Sequence, residues 1–145
     1  MTTAPTIHAS AALVGARGVL IRGAAGAGKS SLLLSLIYGA GNAILIADDR
    51  VTLAVEDGRL IASVPEALAG LLEVRGVGVV RQRYASPAVI DLVADLAPLE
   101  QCPRFPDEAG RRTVISGVAV PRIFIAVGAA DGAPRIRAAL ADLYV

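Results

Sequence analysis

Residues 18–39 read GVLIRGAAGAGKSSLLLSLIYG, and this stretch decides the fold. An aliphatic run of strand type leads into a glycine- and alanine-rich loop, and an uncharged, leucine-rich run of helical length follows it. Gly23-x4-Gly28-Lys29-Ser30 satisfies the phosphate-loop pattern with the strand before and helix after that the pattern requires. Glycines let the backbone curl until successive N–H groups point inward at close range. The helix N-terminus adds partial positive charge. Lys29 is the only lysine among 145 residues, whereas arginine occurs thirteen times. A compact ammonium on a flexible stem suits β- and γ-phosphates better than a planar guanidinium does. Gly23, Ala24, Ala25, Gly26, Ala27, Gly28, Lys29, Ser30 and Ser31 are therefore the candidate nucleotide-binding residues, with the Ser30 hydroxyl offered to a magnesium ion. The bland alternative is an ordinary small-residue turn.

Outward from the loop, residues 7–14 (IHASAALV) and 18–22 predict two strands joined by the Gly15-Ala16-Arg17 turn. Gly39 and Gly41 are the expected stops of the helix. AILIADD at 43–49 predicts a buried strand whose acidic end reaches a site. RVTLAVEDGRLIASV predicts a hairpin about Asp57-Gly58. PEALAGLLEVRGVGVV starts as a proline-led helical turn and ends extended. Residues 89–96 predict a strand, a helix being the other reading, and 97–113 a loop rich in Pro, Arg and acidic groups. A strand at 118–128 and an amphipathic helix from Ala133 close the chain. Many strands with few helices give the expected class: α/β, a P-loop-containing mixed β-sheet in one domain, residues 1–145.

Composition narrows the function. With 54% hydrophobic and only 3% aromatic residues, the core must be aliphatic. A formal net charge of +1 supplies no basic field for nucleic acid. One cysteine, Cys102, excludes an internal disulfide and a multi-cysteine metal cluster, and nothing near it suggests an activated thiolate. Residues 30–47 carry no charge but are broken by YGAGN at 38–42, and the N-terminus lacks a basic segment followed by an apolar run. The expectation is a soluble, cytoplasmic protein without membrane contact.

Asp48 and Asp49 end the strand that follows the loop helix. Neighbours in a strand point to opposite faces, so only one needs to face the phosphates. One carboxylate can hold magnesium through water while the other accepts a hydroxyl proton, and the sequence leaves open which does which. Elsewhere such a pair would be a solvated turn. Glu73 and Arg75 stand two apart, on one face if extended, where a carboxylate and a guanidinium can serve a metal and a transferring phosphoryl group; alone they would be a surface ion pair. His8, the only histidine, lies fifteen residues ahead of the loop, and by itself reads as structural.

The order of these motifs resembles one family. His8, GAAGAGKS, IADD, PEALAGLLEVRGVGVV and a late VPRIFIAVGAA are together similar to the catalytic domain of HPr kinase/phosphorylase, and Leu72-Glu73-Val74-Arg75-Gly76-Val77-Gly78 carries the most specific part of the likeness. The resemblance implies an ATP- and magnesium-dependent kinase that phosphorylates a serine of the phosphocarrier protein HPr and removes the phosphate by phosphorolysis, working as a homo-oligomer. It implies that Lys29 contacts phosphates, that Ser30 and Glu73 bind magnesium, and that the aspartate pair holds the base, with Asp49 the proton acceptor. It adds His8 and Arg75 as site residues and Arg104 as a further catalytic arginine. No separate N-terminal domain precedes the core, so the short single-domain form is expected. The late signature is reduced to Pro121-Arg122, and Gly128 stands where an acidic residue is expected. A small-molecule kinase and a nucleotide-binding regulator without catalysis are the alternatives.

Overall fold

The computed structural model describes residues 5–39 and 41–143. In chain order the strands are β1 (Thr6–His8), β2 (Ser10–Val14) and β3 (Arg17–Arg22), followed by helix α1 (Lys29–Tyr38). Next come β4 (Ala43–Ala47), β5 (Arg50–Glu56), β6 (Arg59–Ser63), β7 (Leu71–Val74), β8 (Gly78–Arg81) and β9 (Ala88–Ala97). Strands β10 (Arg112–Ile115) and β11 (Val118–Ala126) precede helix α2 (Gly132–Leu143). Nine strands form one mixed sheet, and β7 and β8 form a separate two-stranded ribbon.

The sheet is built around β3 and β9, which run parallel, with β11 parallel to the end of β9. The other strand pairings among the described residues are antiparallel hairpins or returns. The reading of 89–96 as strand rather than helix is the observed one, because β9 must pair along β3 and β11 at once. Alternation sorts the strands between two cores. Val19 and Ile21 of β3 face α1 and α2 together with Leu33, Leu36, Leu92, Ile125, Ile136 and Leu140. Leu20 points the other way, toward Ile46, Val51, Leu60 and Val93, where the sheet curls on itself.

Three expectations need correction. Residues 7–14 are not one strand: the chain changes partner at Ala9, so β1 pairs with β5 whereas β2 pairs with β3 and β4. LLEVRGVGVV is not one extended run but a hairpin with Gly76 and Gly78 both at positive φ. Residues 112–113, assigned to the loop, begin β10, whose polar, exposed edge masks its pairing with β11. The Asp57-Gly58 turn, with φ of 52° and 75°, is of the expected kind.

Strands β3 and β9 approach closely at Gly18, whose N–H donates to the Asp91 carboxylate at 2.9 Å. A Cβ on Gly18 would lie 1.9 Å from the Val89 carbonyl oxygen. Gly18→Ala is therefore expected to destabilise the fold by about 3 kcal/mol, since backbone rather than a movable side chain must shift. Denaturant unfolding of the two proteins checks it; a loss below about 1 kcal/mol would mean that β9 has slack at this point.

Candidate active site

The loop 23–28 turns from the end of β3 into α1, with Gly26 and Gly28 at φ of 79° and 103°, conformations open to glycine and strained for other residues. Helix α1 starts at Lys29 and has no acidic residue in its first turn, so no carboxylate of the helix itself competes for its N-terminal N–H groups. The Lys29 ammonium donates to the carbonyls of Gly23 and Ala24, at 2.8 and 3.1 Å, which holds the charge over the loop. Leu32, Leu33 and Leu36 bury the opposite side of the helix.

Behind the loop, Arg22 makes a two-pronged bond to Asp95, Nε to Oδ1 at 2.7 Å and Nη2 to Oδ2 at 2.8 Å. Arg122 approaches the same carboxylate at 3.5 Å, and its guanidinium lies 4.6 Å from the Phe124 ring centroid. The late Pro121-Arg122 signature thus buttresses β3, β9 and β11 directly upstream of the loop rather than lining the cavity.

A cavity of about 530 Å³ opens in front of α1. His8, Ser10, Gly26, Gly28, Lys29, Ser30, Ser31, Asp49, Glu73 and Arg75 are among its lining residues. Strand β1, the loop, the β4–β5 corner and the β7–β8 ribbon, distant in sequence, converge there. Arg104 is not among the lining residues; its guanidinium sits 5.7 Å from the ring of Phe105, on the loop before β10. Cys102 lies outside the cavity as well, and burial together with the nearby Glu100 carboxylate pushes its thiol pKa up, away from nucleophilic thiolate.

The two aspartates part company. Asp48 is buried, and its Oδ1 accepts from the hydroxyls of Ser10 and Ser30 at 2.9 and 2.8 Å. Asp49 is exposed, and its Oδ1 lies 3.4 Å from His8 Nδ1. Strand alternation alone would send them to opposite faces. Instead the Arg50 N–H donates to the Asp48 carbonyl at 2.8 Å across Asp49, whose φ is 70°. This tight three-residue turn swings Asp49 into the cavity while Asp48 reaches the same site from below through Ser30. A positive φ in a non-glycine residue stores about 1–3 kcal/mol of strain. Asp49→Gly is expected to raise thermal stability by about 1 kcal/mol even as it removes the carboxylate. Thermal denaturation checks this, and a fall in stability would mean that the carboxylate holds the corner together.

Ser10 is the site residue that the sequence reading missed. Its signal was there, two residues beyond His8, but the partner carboxylate lies 38 positions away. Among the described residues no group of three or more His, Cys, Asp and Glu side chains forms a metal cage. Ser30 and Glu73 on the cavity wall are instead oxygen donors of the kind that suits a hard cation keeping waters and phosphates in its shell, with Asp48 behind Ser30. A second cavity of about 320 Å³, with Ser35, Leu96 and Val127 in its wall, shares Gly26, Gly28 and Ser31 with the first. No described helix is long and apolar enough to cross a membrane.

The comparisons with known proteins converge. The chain is 36% identical over 121 residues to HPr kinase/phosphorylase of Limosilactobacillus reuteri (strain DSM 20016), covering 76% of this chain and 37% of that protein. HPr kinase/phosphorylase of Clostridium botulinum (strain Eklund 17B / Type B) is 43% identical over 76 residues, 51% of this chain and 24% of the relative. The chain thus spans well under half the length of these curated relatives. Among solved structures, the Hpr(Ser) kinase/phosphatase from Coxiella burnetii superposes with a TM-score of 0.80 at 27% identity, covering 96% of this chain and 95% of that one. The mixed, curled sheet with two helices is the fold of that kinase. The family model described as HPr Serine kinase C-terminal domain matches residues 1–142, and with the fold in agreement over nearly the same span, the chain belongs to that family.

Proposed function

We propose that this chain transfers the γ-phosphoryl group of ATP to a serine hydroxyl of HPr. The observation that carries the reading is the split of the aspartate pair at one cavity: Asp48 buried and tied to Ser30, Asp49 exposed beside His8. Phosphates lie along the loop 23–28 and the N-terminus of α1, held by backbone N–H groups and the Lys29 ammonium. The nucleoside extends across Gly26 and Ser31 into the second cavity, whose wall is mainly apolar.

Magnesium, held by Ser30 and Glu73 with Asp48 behind Ser30, would neutralise phosphate charge. Asp48 orients the Ser30 hydroxyl by accepting its proton in a hydrogen bond, leaving the Ser30 lone pairs toward the cavity. Asp49 accepts the proton of the incoming serine hydroxyl as transfer begins, and His8 at 3.4 Å holds that carboxylate in place. Arg75 faces the charge that develops on the transferring group. In phosphorolysis the protonated Asp49 returns its proton to the serine oxygen when inorganic phosphate attacks phosphoserine.

The test is transfer of labelled γ-phosphate from ATP, with magnesium, to HPr of the same organism, beside an HPr lacking the target serine. Label on HPr alone supports the reading. ATP binding with no label on HPr would overturn it in favour of a nucleotide-sensing regulator, and label on a metabolite instead would favour a small-molecule kinase.

A further inference from the structure

The β7–β8 ribbon stands apart from the main sheet and is anchored from one side only. Leu72 is fully buried, and Val74 packs against the helix-side core. At the ribbon's other end, the Gln82 N–H donates to the Gly70 carbonyl at 2.8 Å, and Tyr38 of α1 donates to the Gln82 side chain at 2.9 Å. The opposite face is left to solvent and mixes charged and apolar side chains. Val77 at the turn is 73% exposed and Val79 is 67% exposed.

Register places these valines with respect to the chemistry. Val79 is paired directly with Glu73, and Arg81 with Leu71. Residues directly opposed in an antiparallel ladder share a face, and so do residues two apart in one strand. Val79 therefore flanks Glu73, which lines the cavity, on the same face of the ribbon, with Arg81 one step beyond. Isolated exposed apolar residues are common and need no explanation. Here one branched apolar side chain, Val79, flanks a cavity-lining carboxylate on a ribbon whose other face packs into the core, and a second, Val77, is exposed at the ribbon's turn.

Resting on the reading of the cavity as a protein-serine kinase site, we propose that Val77 and Val79 form the docking surface for the acceptor protein. They would take an apolar patch beside the serine to be phosphorylated, with Arg75 and Arg81 favouring a neutral or acidic surround. Continuity with the cavity selects this occupant: a serine that reaches Asp49 must bring its neighbouring surface over the ribbon that carries Glu73. A small-molecule acceptor would lie within the cavity and leave both valines in water.

The test is the Val77→Thr/Val79→Thr double variant, which keeps side-chain shape and strand preference while removing apolar contact. KM for HPr is expected to rise roughly tenfold, with kcat at saturating HPr within about twofold of wild type. Affinity for ATP should not change, because neither valine lines the cavity. An unchanged KM in the variant beside an active wild type overturns the docking role alone. A change in oligomeric mass by light scattering, accompanying the change in KM, overturns it in favour of a second copy of the chain on this face. Absence of transfer to HPr by wild type overturns the kinase reading and this surface with it.

Discussion

Exchanging Asp49 for Asn is expected to slow transfer of the phosphoryl group to HPr by roughly 10²–10⁴-fold, the usual contribution of a positioned general base. The exchange keeps the shape of the side chain and its place beside His8 but removes the basic oxygen pair. The positive φ of Asp49 makes the comparison clean, because asparagine tolerates that backbone region about as well as aspartate does. ATP affinity is expected to stay within about twofold of wild type, since on the proposed reading the lost group would act on the acceptor proton rather than on ground-state nucleotide. Steady-state transfer of labelled phosphate, with ATP binding measured by calorimetry, checks both halves. A variant that retains transfer within about fivefold would move the base elsewhere, and His8, 3.4 Å away, would be the group to examine.

Lys29→Ala should have an effect of similar size on kcat/KM, about 10³-fold, but divided differently. On the proposed reading Lys29 would act on bound phosphates in both ground and transition states, so ATP affinity is expected to fall at least tenfold together with the rate. Part of that loss is structural, because the ammonium also ties the Gly23 and Ala24 carbonyls. Lys29→Arg separates the two parts. It restores positive charge, but its wide planar fork does not fit where a single ammonium meets two carbonyls, so little recovery is expected. Binding of ATP to Lys29→Ala with wild-type affinity would overturn the assignment of the loop 23–28 to phosphates.

These two residues also mark how far the chain could be read without its structure. The place of Lys29 was legible because strand, glycine loop and helix occupy one continuous stretch, and their geometry depends on neighbours along the chain. The Asp57-Gly58 hairpin and the aliphatic strands were legible for the same reason, since period and turn chemistry act over a few residues. Asp48 and Asp49 were legible as a pair but not as individuals. Which one reaches the cavity depends on a turn at Asp49 that strand alternation does not anticipate.

What the sequence by itself determined was the class of the molecule: a mixed sheet with few helices, a glycine-rich turn between β3 and α1, and the motif order that ties it to one family. Those properties rest on local propensity and spacing. Tertiary structure alone decided that Ser10 and Ser30 share the Asp48 carboxylate, and that His8 stands at Asp49. It also set Arg122 behind the loop with Asp95 and left Arg104 outside the cavity. Each of these depends on contacts between elements far apart in the chain. Such contacts are set by how a curled sheet closes on itself, and no pattern along the chain encodes that distance directly.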